Sequence, residues 1–65
     1  MLTSRETQIS NALCTGASDK QIAGDLGISY WTVRSHIQSI FRKLGVLNRR
    51  ELMVKMANHI ENGQG

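Results

Sequence analysis

Four helix starts and three glycine stops punctuate this chain, so closely spaced that few folds other than a small helical bundle can accommodate them. Thr3 and Glu6 form an S/T-x-x-E box, in which each side chain satisfies an orphan backbone N–H at a helix start. Ile9 and Leu13 then share one face, and Gly16 supplies a left-handed stop. Ser18 and Gln21 repeat the box, with Ala17 and Ile22 at the flanking staple positions. Ile22, Ala23 and Leu26 give the second helix its apolar side before Gly27 ends it. Ser29 caps a third helix, stapled by Ile28 and Val33, that runs to Leu44 and stops at Gly45. Asn48 caps the fourth, with Glu51 three residues on and Leu47 and Leu52 as its staple pair. That helix is expected to continue to about Ile60.

Sixty-five residues make one domain, 1–65, with an ordered core expected over about 2–61 and a frayed tail at 62–65. A chain this short buries only about 60% of the surface its unfolded form exposes. Proline is absent and no stretch alternates with a strand's period of two, so the fold class expected is all-α, with four helices. Cys14 is the only cysteine, which rules out a disulfide framework. No apolar run is long enough to span a bilayer and no charged-then-apolar leader opens the chain, so a reducing cytoplasm is the expected setting. Cys14, His36 and His59 are too scattered for a metal site, and no cofactor is expected. A base–nucleophile constellation is missing, and the chain has little volume for a substrate pocket, which argues against an enzyme.

Charge narrows the partner. The net charge is +3, but residues 1–33 set Arg5 and Lys20 against Glu6, Asp19 and Asp25. Residues 34–65 set Arg34, Arg42, Lys43, Arg49, Arg50 and Lys55 against Glu51 and Glu61. That asymmetry suggests a basic face for a polyanion. Winding residues 30–44 at 100° per residue puts Tyr30, Val33, Ile37, Ile40, Phe41 and Leu44 on a core side. Trp31, Arg34, Ser35, Gln38 and Arg42 cluster near the opposite side, with Thr32, His36 and Lys43 along one flank. The outward side holds no acid, and it offers arginines that grip guanine or phosphate and an amide that pairs with adenine. A capped helix, a glycine turn and a second helix with such a face form the layout of a helix-turn-helix, with the third helix as recognition helix.

The series Leu2-Thr3-x-Arg5-Glu6, Gly16-x-Ser18-x-Lys20-x-Ile22-Ala23, Leu26-x-Ile28-Ser29-x-x-Thr32-Val33-Arg34-x-His36 and Lys43-Leu44-Gly45-Val46-x-Asn48-Arg49-x-Glu51-Leu52 resembles the LuxR-type helix-turn-helix domain. That family is also named for FixJ, NarL and GerE, and the likeness covers about residues 2–60. It implies the C-terminal DNA-binding part of a bacterial transcription regulator. It further implies base contacts from Arg34, Ser35 and Gln38, and backbone contacts from Lys43, Thr32 and His36. Dimerisation on DNA is implied through roughly Leu52 to Ile60. Three residues depart from the family pattern: Ser10 stands where leucine is usual, Trp31 is bulky for its place, and Asp19 replaces a frequent asparagine.

Other residues complete the expected interface. Arg42, Trp31, Lys20 and Arg49 join the backbone contacts, although Arg49 has an alternative structural role and Trp31 has two alternatives, contact with a thymine methyl or a role as a partner surface. Arg49 and Arg50 both oppose the dipole of the fourth helix, which points at least one of them toward phosphate. Val54 and Ala57 lie off the stripe of Leu52 and Met56 and suggest a dimer seam, and Leu52, Val54, Met56, Ala57 and Ile60 are the expected dimer residues. Leu52, Met53, Met56 and Ile60 are read as supplying that helix's inward side. Cys14 reads as a partly buried filler in preference to a redox sensor. His36 reads equally as a phosphate contact or as packing that holds the third helix. The partner expected is double-stranded DNA with inverted half-sites, bound by a weak homodimer, with RNA polymerase as a further partner. The alternative is a protein-interaction module, an anti-activator or sigma-factor-like surface on the same fold.

Overall fold

The helix starts close as their side chains dictate. A computed structural model describes the backbone of residues 1–64 and the side chains through residue 58. It contains α1 (Ser4–Cys14), α2 (Asp19–Leu26), α3 (Tyr30–Leu44) and α4 (Arg49–Gln64), with no strand among the described residues. Thr3 and Ser18 each accept a bond from the backbone three residues on, and Glu6 and Gln21 reach back to the cap N–H groups. Ser29 caps α3 through Thr32 N–H at 3.0 Å, and Asn48 Oδ1 accepts from Glu51 N–H at 2.9 Å.

The stops are equally local. Gly27 and Gly45 adopt φ of 67° and 69°, a left-handed conformation that costs an L side chain about 1–2 kcal/mol. A Cβ at either would meet nothing within 4 Å, so backbone conformation alone demands glycine there. After α1, α2 and α3 the chain folds back: Ala17, Ile28 and Val46 N–H groups bond to Ala12, Ala23 and Phe41 carbonyls at 3.0–3.2 Å. This pattern lays the residue after the glycine over the preceding turn. It explains why Val46, which the periodicity of α3 leaves out, is buried in the core.

α3 packs against both α1 and α2, and α4 packs against α1. Val33, Ile37 and Ile40 of α3 are buried with Ile9, Leu13, Ile22, Ala23, Val46 and Leu52, while Phe41 and Leu44 pack partly buried against that cluster. Two details differ from expectation, and a third, Ser10, carries a cost besides the thinner core that serine in place of leucine implies. Leu47 is 84% exposed, so its side chain does not staple onto Leu52; instead its N–H donates to Glu51 Oε1 at 2.7 Å and fixes the entry to α4. α4 runs to Gln64, past Ile60. Ser10 is wholly buried and its hydroxyl has no hydrogen-bond partner, so the serine both thins the core and leaves a polar atom unsatisfied in it.

Glu6 does more than cap. Its Oε1 accepts from Thr3 N–H and from Lys43 Nζ, both at 2.8 Å, and its Oε2 accepts from Ser39 Oγ at 2.8 Å. A carboxylate this buried persists only with such partners. The Lys43 ammonium first, then the Thr3 N–H and the Ser39 hydroxyl, hold its pKa down to about 2 from 4.5, against the opposing effect of burial. The charged form is therefore favoured in the folded state. Its stabilisation is fully present above about 4.5 and is lost as pH falls through about 2. Thermal melts of wild type and Glu6→Gln are expected to differ most at neutral pH and to converge across that window. A gap that stays constant down to pH 2 would place the network's contribution elsewhere.

Candidate nucleic-acid interface

The outward side of α3 carries Trp31, Arg34, Ser35, Gln38 and Arg42, all exposed, at spacings that stack them along one strip of helix surface. Thr32 is exposed beside them, with its hydroxyl 2.8 Å from the Ser29 hydroxyl at the helix start. His36 is half-buried on the flank, between the core and this strip. Trp31 is 75% exposed, and its ring meets the edge of Tyr30 at a centroid distance of 5.2 Å and an angle of 78°. Unlike α1, α2 and α4, α3 has no acid in its first turn, so the positive end of its dipole is uncompensated.

Neighbouring elements add three groups. Lys20 of α2 is exposed and borders a shallow depression with Ser18, Asp19, Tyr30 and Arg49. Arg49, first residue of α4, donates from Nη2 to the Ala17 carbonyl at 2.7 Å and lies 3.3 Å from Asp19 Oδ1. Its guanidinium therefore ties α4 to the turn before α2, the structural role of the two the sequence left open. Arg50 is exposed and forms no ion pair among the described residues.

Two engaged cations are invisible in the sequence pattern. Lys43 is held by Glu6 of α1, which occupies one of its three donors and fixes the side chain along the flank of α3. Arg34, half exposed, lies with Nη1 3.5 Å from Asp19 Oδ2. Asp19, at the start of α2, stands between Arg34 and Arg49 with its side chain 19% exposed. Neither acid could be assigned these partners without knowing how the helices cross.

The expected dimer residues divide. Leu52 is fully buried and Met56 is half-buried against the same core, so Leu52 is corrected to a core residue and Met56 to a core-flanking one. Val54 is 55% exposed and Ala57 is exposed. Met53, expected inward, is 45% exposed and lies with them on the outer side. The Ile60 and His59 side chains fall outside the described residues. Burial pushes the Cys14 thiol pKa up, in keeping with a half-buried filler that stays protonated. Among the described residues no three His, Cys, Asp or Glu side chains gather as metal ligands, and no helix is long and apolar enough to cross a membrane.

Residues 1–56 match the family described as bacterial regulatory proteins, luxR family. The chain is also 42% identical over 50 residues to the HTH-type transcriptional regulator MalT of Serratia proteamaculans (strain 568), a match that covers 77% of this chain. That stretch amounts to 6% of the length of the relative.

Proposed function

The chain belongs to the luxR family of bacterial regulatory proteins, and we propose that it is the sequence-specific DNA-binding domain of a cytoplasmic transcription regulator. In this reading α3 enters the major groove, where Arg34, Ser35 and Gln38 meet base edges. Arg42, Lys43, Thr32, His36, Trp31 and Lys20 contact the sugar–phosphate backbone around it and set register. Arg49 serves mainly to hold α4, while Arg50 is the freer cation at that helix start. The N-terminal amides of α3 add a phosphate site of their own.

The observation that carries this reading is the exposed, acid-free strip on α3. An amphipathic helix in contact with water alone has no reason to lack acids along its whole outer face. A second copy binds through the outer side of α4, with Val54, Ala57 and Met53 in place of the buried Leu52, so that two domains read inverted half-sites. RNA polymerase is a further proposed partner.

Selection of bound duplexes from a random DNA pool tests this directly. The expected result is an enriched inverted repeat, bound with an affinity that falls steeply with salt as counterions are released. Failure to enrich any sequence, with binding indifferent to salt, would overturn it. The 75% exposure of Trp31 favours a second reading, a surface for a protein partner. Under that reading the pool returns nothing, and Trp31→Ala abolishes a protein complex.

A further inference from the structure

We infer that Asp19 is a positioning residue that makes Arg34 selective for guanine, by holding one edge of its guanidinium and denying it to phosphate. The inference rests on the DNA-binding reading of α3. Asp19, Arg34, Ile37, Gln38, Phe41 and Arg49 line one cleft of about 370 Å³ beside the reading strip. The carboxylate in it has its two oxygens divided between two cations: Oδ2 lies 3.5 Å from Arg34 Nη1 and Oδ1 lies 3.3 Å from Arg49 Nη2. Arg49 is itself anchored on the Ala17 carbonyl at 2.7 Å. Asp19 is therefore fixed from behind, and Arg34 is the partner free to move.

A guanidinium has five N–H donors in a rigid fork. Asp19 engages Nη1 alone, which leaves Nε and Nη2 available as the pair of donors that matches guanine O6 and N7. A guanine edge can be met without releasing Asp19. A phosphate gains most from Arg34 when the whole fork swings toward the backbone, which breaks the pair and brings a carboxylate near an anion. The same acid thus supports one contact and opposes the other. An amide at this position keeps the shape but removes the opposition.

Asp19→Asn tests this, with Arg34→Ala and the double variant as companions, each titrated against its selected duplex, a duplex altered at the guanine read by Arg34, and an unrelated duplex. Asp19→Asn is expected to bind the unrelated duplex about three- to fivefold more tightly, the scale of a half-exposed ion pair released. Its salt slope there should steepen by about 0.9, one added phosphate contact. Preference for guanine at that one position should fall by a similar factor, and none of these changes should appear when Asp19→Asn is made on the Arg34→Ala background. Unchanged preference overturns the inference. So does an equal change in both backgrounds, or a uniform weakening on all duplexes together with a lower melting temperature, which would mark Asp19 as a support for Arg49. A wild-type chain that binds no duplex would instead sink the DNA-binding reading, and this inference with it.

Discussion

Leu52→Ala is expected to destabilise the domain by about 2–5 kcal/mol, the range for removing a buried leucine with partial collapse of the cavity. Domains of this size hold only about 3–10 kcal/mol in total, so the variant stands near the edge of folding. For a small domain this corresponds to a fall in melting temperature of roughly 8–40 °C. The reasoning is positional. Leu52 is wholly buried on α4, the helix held to the rest mainly through α1. Among the described residues few other α4 side chains reach the core: Met56 is half-buried, while Met53 and Val54 face outward. Circular dichroism melts at two protein concentrations check this. The expected loss is the same at both, because the contact lies within one chain, and Val54→Ala should leave the melt unchanged. A Leu52→Ala domain that melts normally but fails to self-associate would return this residue to the dimer seam.

Leu52 also marks where sequence reasoning stopped. The caps and stops of α1, α2 and α3 could be read because they are closed by residues three to five positions apart, and the chemistry of each is carried by the residues themselves. The buried face of α3 could be read because Val33, Ile37 and Ile40 recur at helical spacing between polar residues. α4 gives no such contrast: Leu52, Met53, Val54, Met56 and Ala57 distribute apolar groups around the helix, so periodicity alone does not choose the inward side. The engaged charges were hidden for a different reason. Glu6 meets Ser39 and Lys43 across 33 and 37 residues, and Asp19 meets Arg34 and Arg49 across 15 and 30. Those pairs depend on how helices cross, which no local pattern encodes. The surface strip on α3 was visible; what holds its cations in place was not.

Arg34→Ala is expected to weaken binding to the selected duplex by about 1–3 kcal/mol and to relax preference at one base pair. That is roughly a five- to 150-fold rise in Kd. One effect pushes the loss toward the upper part of the range: the guanidinium supplies a paired donor that alanine cannot replace, leaving a base edge desolvated without a partner. Arg42 provides the contrast, since it lies on the same strip two turns further along without a recorded ion pair among the described residues. Truncating it should weaken all duplexes about equally and flatten the salt slope by about 0.9 per phosphate lost. Fluorescence anisotropy on matched, single-substituted and unrelated duplexes separates the two patterns. If Arg34→Ala kept full affinity and an unchanged base preference, α3 would be reading DNA through other residues, and Gln38 and Ser35 would be the next to truncate.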